Sequence, residues 1–238
     1  MGKTEIGENK SNAPRGVLYY DVLNILACLA VIALHHNGEV WNFADSMIWK
    51  SALGAECFFF WAVPVFFMIS GATLLNYREK YSTGTFFKNR IIRTVIPWFF
   101  WSIVVLIWKT STGQMTLESH DPVSIANLFL NSKIENVYWF FPCLFGLYLA
   151  MPIYSMLVKN RKLLWYVVIL NFILVSCVPV INLWTGLNIN IIIPGISGMI
   201  IFPVLGYLAS TTEIKLPYRL LIYALGLGGT LFRYIYLY

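Results

Sequence analysis

The chain has 238 residues, of which 58% are hydrophobic and only 12% charged, and it carries a formal net charge of +6. A soluble globular domain has about 25% charged residues, so this composition argues against a fold whose surface is covered by water. The basic residues are scattered beside apolar runs rather than gathered on one stripe, which argues against a nucleic-acid partner.

In chain order, residues 1–16 are mostly polar and read as a flexible cytoplasmic tail. No cleavable signal peptide is evident, because the apolar run that follows is too long for a signal core and no small-residue cleavage pattern comes after it. Seven apolar segments then follow, at residues 17–36, 55–77, 91–108, 137–158, 163–183, 189–210 and 216–238. Each is close to the roughly 20 residues a helix needs to cross the hydrocarbon core. The expected fold is all-α, a polytopic transmembrane helical bundle of about seven spans, with residues 17–238 as one domain. Pro64, Pro97, Pro142, Pro152, Pro179, Pro194 and Pro203 fall in or near these runs, where neighbouring helices can satisfy the freed carbonyls. Pro179, Gly186, Pro194, Gly195 and Gly198 make the fifth–sixth boundary the place where a helix would break or re-enter. The last residues are apolar and aromatic with no polar tail, which reads as an early stop within a longer parent.

Charge supplies the orientation. Lys3, Lys10 and Arg15 precede the first segment, and Arg78, Lys80, Lys88, Arg90 and Arg93 lie around the second–third connection. Lys159, Arg161 and Lys162 lie at the fourth–fifth turn, with Lys215 and Arg219 at the sixth–seventh. These are alternate connections, whereas Lys50, Lys109 and Lys133 on the other set are diluted by acidic residues. The positive-inside rule then places the N-terminus in the cytoplasm.

Residues able to do chemistry are few. Cys28, Cys57, Cys143 and Cys177 lack a CxxC spacing and read as small buried hydrophobes, so no metal site is expected. Two of only three histidines, His35 and His36, end the first segment, and Glu56 should lie at the same depth. Ionisable groups at that depth mark functional sites. His35 follows Asn24 by eleven residues, about three helical turns, which puts the two on nearly the same face with Asp21 close by. An imidazole there can take a proton from a hydroxyl, with Glu56 as the carboxylate that orients it; a plain interfacial contact with headgroups is the alternative. Lys88, Arg90 and Arg93 follow Phe86 and Phe87 and could grip phosphates from the cytoplasmic side, or could serve only as a basic anchor. Ser70 and Gly71 permit close packing. Trp139 and Phe140 read as interface aromatics, and His120 beside Asp121 as a solvated loop histidine.

Taken together, these residues resemble the membrane acyltransferase-3 family, bacterial integral membrane proteins related to sugar and polysaccharide O-acetyltransferases. The resemblance runs from Tyr20-Asp21-Val22-Leu23-Asn24 to His35, through Val63-Pro64-Val65-Phe66-Phe67-Met68-Ile69-Ser70-Gly71 and Phe86-Phe87-Lys88-Asn89-Arg90-Ile91-Ile92-Arg93, to Ile96-Pro97 and Tyr138-Trp139-Phe140. It implies about ten spans in the parent and a place in the bacterial cytoplasmic membrane. It also implies transfer of an acetyl or succinyl group from acetyl-CoA or a related acyl-CoA to a hydroxyl of a cell-surface glycan or lipid-linked sugar. His35 would be the general base, Glu56 its orienting partner, and Lys88, Arg90 and Arg93 the donor-phosphate ligands, with Ser70 and Gly71 shaping the acyl channel. Asn24 stands where the family pattern has arginine, so either Arg15, Arg90 or Arg93 covers that role, or donor binding is altered, or activity is reduced. A transporter or flippase using the same polar stripe, or a non-catalytic membrane scaffold, would fit the residues without transfer chemistry.

Overall fold

The computed structural model describes residues 17–117, 119, 121–193, 196 and 198–238. The tail at 1–16, with Lys3, Lys10 and Arg15, lies outside the described residues, as do Glu118, His120, Pro194 and Gly195. Among the described residues there is no β-strand, and six helical stretches are long and apolar enough to cross a membrane. The fold is an all-α polytopic membrane bundle.

The first stretch is α1, Leu18–His36. The second, Met47–Glu79, holds α2 (Met47–Phe59) and α3 (Ala62–Leu74). It begins eight residues before the expected 55, because the Ser46 side chain accepts from the Trp49 amide and starts the helix there. The third, Thr83–Ser111, joins α4 (Thr83–Arg90) to α5 (Ile96–Ser111), so the basic cluster is itself helical rather than a connection before the span. A short helix, α6 (Pro122–Leu130), precedes α7 (Phe140–Leu157). The fifth stretch, Arg161–Thr185, joins α8 (Arg161–Phe172) to α9 (Val178–Thr185), and α10 (Ile201–Thr211) and α11 (Leu216–Leu237) complete the chain.

Two π-turns interrupt these stretches, at Ile91–Val95 and Ile173–Cys177. Each contains the residue four before a proline, Arg93 before Pro97 and Val175 before Pro179. A proline ring clashes with the i−4 carbonyl and cannot donate to it, and a wider i→i+5 turn relieves both problems without ending the helix.

The expected sixth span, 189–210, is corrected. Among its described residues, helix begins only at Ile201, in the eleven-residue Ile201–Thr211, and residues 186–193 have no regular structure. The irregular backbone is satisfied by side-chain amides instead. Asn182 donates to the Ile189 carbonyl at 2.8 Å and accepts from the Ile189 amide at 3.0 Å. Asn171, buried in α8, donates to the carbonyls of Ile196 and Gly198. Non-helical backbone at membrane depth is tolerated only when protein groups satisfy it in this way.

The chain divides into two compact units, one running to Val65 and including Ala224–Tyr238, the other Phe66–Tyr223. In the first, α1 packs on α2, with Ala27 and Ala30 buried where small side chains allow close approach. Trp49, Leu53 and Cys57, at four-residue spacing on α2, gather Val40 and Tyr234. The end of α11 stands beside the start of α2: the Tyr234 hydroxyl donates to the Lys50 carbonyl at 3.5 Å, and the Lys50 ammonium lies 5.0 Å over the Tyr238 ring. Cys57 is buried as expected, but Cys28 is exposed because it lies on the flank of α1 away from those alanines.

In the second unit, Phe67 stacks on Phe140 with ring centres 5.2 Å apart, which makes Phe140 a packing ring rather than an interface aromatic. Arg78 donates from Nε to the Ser155 hydroxyl at 2.7 Å and so ties the chain after α3 to the end of α7. Arg161, at the start of α8, donates to the Thr211 carbonyl at 3.1 Å and to the Thr212 hydroxyl. The short α10 therefore brings the chain back to the end from which α8 departs. At the opposite end of the unit, Lys109 pairs with Glu135 at 2.6 Å and donates to the Ile134 carbonyl at 3.0 Å.

Candidate functional site

The histidine end of α1 is built by one amide. Asn37, the residue after the helix, donates from Nδ2 to the Ala52 carbonyl at 2.8 Å and to Glu56 Oε2 at 3.4 Å. This holds the half-buried Glu56 carboxylate on α2 against the last turn of α1. His35 is exposed and has no hydrogen-bond partner among the described residues, so neither ring nitrogen is committed. His36 differs: its Nδ1 lies 2.9 Å from the Ile32 carbonyl, which can only accept, so the ring turns back on its own helix and leaves Nε2 as the open acceptor. Asn24 is half-buried and Asp21 exposed. The polar stripe thus follows the edge of the packed face marked by Ala27 and Ala30. The bond that orients Glu56 comes from Asn37, a residue that sequence reasoning passed over; a side chain able to cap at the end of a helix was the available signal.

The basic cluster belongs to the other unit, and its three members have different surroundings. Lys88 and Arg93 are exposed. Arg90 is half-buried, its guanidinium 5.9 Å from the centre of the Phe86 ring and 5.7 Å from that of Tyr148. Its Nε is buried with no hydrogen-bond partner among the described residues. A guanidinium over aromatic faces keeps its charge and its fork geometry, and an orphaned N–H costs free energy until an acceptor arrives. The corner thus presents one unpaired guanidinium N–H against an aromatic wall. Phe86 is fully buried between Tyr77 and Tyr148, with ring centres 4.4 and 6.2 Å away, so the aromatic side of the Phe86-Phe87 pair positions Arg90. The π-turn begins directly after Arg90 and changes the helical phase of Arg93 relative to it. Ordinary α-helical neighbours three apart do not describe this pair.

Gly71 is buried where α3 crosses α10. A Cβ there would overlap the Pro203 backbone, and one on Gly206 would overlap that of Met68. The close-packing reading of Gly71 therefore has a specific partner, while Ser70 beside it is half-buried. Sequence reasoning also missed Arg78, taken only as a topology charge, and the amides Asn171 and Asn182. Nothing in their local sequence marks them, since their partners are 77, 25 and 7 residues away.

A family model described as an acyltransferase domain, that of the acyltransferase-3 family, matches residues 17–238. The chain belongs to the acyltransferase-3 family. The match takes in all six long apolar helices and both candidate corners. No curated protein and no solved structure matches the chain. Membership makes this a membrane acyltransferase in general terms, built on a multi-pass helical frame.

Proposed function

We propose that the protein moves an acetyl or succinyl group from a cytoplasmic acyl-CoA to a hydroxyl of a cell-surface glycan or lipid-linked sugar. In this reading it sits in the bacterial cytoplasmic membrane with its N-terminus inside. The family match over residues 17–238 carries the proposal, and the two polar corners give it residues.

His35 is the general base. Its uncommitted imidazole accepts the proton of the acceptor hydroxyl through one nitrogen as the hydroxyl oxygen bonds to the acyl carbon. The carbon–sulfur bond breaks, and the thiol leaves with a proton. Glu56, pinned by Asn37, is the carboxylate available to orient the imidazole and to stabilise its protonated form. On the donor side, the orphaned Arg90 Nε fits a phosphate oxygen, and Lys88 and Arg93 add charge from their exposed positions. Asn24 supplies a neutral amide where the family pattern has arginine, so charge-assisted donor binding falls on Arg90 and Arg93. On α3, Ser70 borders the acyl path, and Gly71 shapes it indirectly by letting α10 pack against α3.

The test uses purified full-length protein in lipid with labelled acetyl-CoA, succinyl-CoA and candidate glycans. His35→Ala is expected to lower turnover at least 100-fold with membrane insertion unchanged, within the range for removal of a positioned base, ~10²–10⁴. Turnover of H35A equal to that of the parent would overturn the base assignment.

A further inference from the structure

We propose that Arg233 on α11 is a positioning residue of the histidine corner, the cation that balances the Glu56 carboxylate inside the bilayer. The positioning role rests on the transfer reading above; the charge pairing does not. Both residues lie in stretches apolar enough to cross a membrane, and both are half-buried. Ionisable groups at that depth pair with one another or mark a functional path. Among the described residues of this unit, the other acidic side chains, Asp21, Glu39 and Asp45, are exposed. Lys50 is already paired with Asp45 at 2.8 Å. Arg233 and Glu56 are the opposite charges that remain.

One ridge of α2 brings them together. Ala52, Glu56 and Phe60 recur every four residues, and Phe60 keeps right-handed helical backbone just past the end of α2, with φ −59° and ψ −18°. The three therefore stand on successive turns of one face, with neighbouring Cβ atoms ~5–6 Å apart. Asn37 enters at the first two, through its bonds to the Ala52 carbonyl and Glu56 Oε2. Arg233 enters at the third, its guanidinium 3.4 Å from the centre of the Phe60 ring. The carboxylate thus stands between the end of α1 that carries His35 and the guanidinium. The Cys57 thiol, next along α2, is within electrostatic reach of both charges.

Arg233 does not turn to the nearby headgroups. Tyr238 lies beside Lys50 near the start of α2, and Tyr234 lies beside Gly54 one turn further in. A snorkelling arginine would extend toward the Lys50 end; Arg233 instead lies over Phe60, past the other end of α2. It makes no ion pair or hydrogen bond among the described residues. The aromatic face holds the planar cation and leaves its N–H groups open. From there it attracts the carboxylate through a low-dielectric interior without occupying the oxygen that Asn37 holds.

The test is a double-variant cycle on the full-length protein in lipid nanodiscs. Arg233→Gln and Glu56→Gln should each lower the unfolding temperature, and the double variant should fall by less than the sum, because it removes both charges. A glutamine at 56 still accepts from Asn37, so the cycle reads charge rather than that hydrogen bond. Additive falls, or no fall in R233Q, would overturn the pairing. Insertion of the double variant but not of R233Q alone is the same coupling in its strongest form; failure of both to insert overturns it. Transfer from labelled acyl-CoA is measured on the same samples. R233Q should lower kcat about ten-fold with KM unchanged, an effect in the ordinary range for coupled neighbours. Arg233→Lys should restore most of kcat, and R233Q should cost nothing further in the E56Q background. An unchanged kcat, a change confined to KM, or a further loss in E56Q would overturn the positioning role. Coupling without any transfer supports the pairing and refutes its service to a base; additive falls with transfer intact refute the pairing and leave the transfer reading standing.

Discussion

Asp121 shows how much one side chain can organise when its local geometry is right. Its carboxylate accepts from the Ser119 hydroxyl and from the amides at the start of α6, and these bonds hold its pKa well below the usual carboxylate range. A folded-state pKa below the unfolded one means that the contribution is fully present above the unfolded value and is lost as pH falls through the folded one. The cap should therefore persist from neutral pH to below the ordinary aspartate range and fail only in strong acid. Hydrogen exchange at Val123 and Ser124 checks this: both amides should stay protected at pH 4, and Asp121→Ala should raise their exchange several-fold at pH 7. The signal was legible in sequence, since Asp121-Pro122 is a cap followed by a first-turn proline, although the polar residues around it suggest only a loop. His35 and Glu56 were legible as ionisable groups at one depth. The bond that Glu56 receives was not, because it comes from Asn37 across nineteen residues of chain.

At the scale of elements, hydropathy found the long helices but misjudged where they start and bend. Ser46 starts α2 early, and Pro97 and Pro179 widen turns rather than ending helices. The α3–α10 crossing depends on two glycines facing backbone on the opposite helix. Gly71→Ala is expected to destabilise the protein by about 2 kcal/mol, a typical overpacking cost, because the added methyl meets the Pro203 backbone rather than a movable side chain. Thermal unfolding in detergent should show a fall of about 4–8 °C for a domain of this size. Gly226→Ala is the control: nothing lies within 4 Å of a Cβ there, and its unfolding temperature should not fall. Equal temperatures for G71A and the parent would remove the crossing from the account.

For the whole molecule, seven apolar segments with alternating basic connections predicted seven crossings, and the described residues supply six long apolar helices with one short apolar helix, Ile201–Thr211, in the region of the remaining span. Polar contacts show how the shorter segment still reverses the chain. Arg78 meets Ser155, and Arg161 meets Thr211 and Thr212, at one end of the second unit; Lys109 meets Glu135 at the other. Single cysteines in a background without Cys28, Cys57, Cys143 and Cys177 test this arrangement in sealed vesicles. Ser82→Cys and Thr212→Cys should react with an impermeant maleimide from one side, and Gln114→Cys from the other. Labelling of Thr212→Cys from the Gln114 side would mean that the segment from 186 to 211 does not return the chain.

The amino-acid sequence by itself determined the class of fold, most of the helices, the alternation of basic connections and the family. Each of these follows from local composition or from short motifs in order, and bilayer thickness leaves little freedom in how an apolar run folds. Tertiary structure alone decided that 186–193 is a non-helical segment tied down through Asn182, that Asn171 holds the carbonyls of Ile196 and Gly198, and that Arg90 rather than Lys88 or Arg93 is the half-buried cation with an orphaned donor. Those outcomes depend on hydrogen-bond partners and packing surfaces contributed by distant parts of the chain, which neither periodicity nor motif spacing encodes.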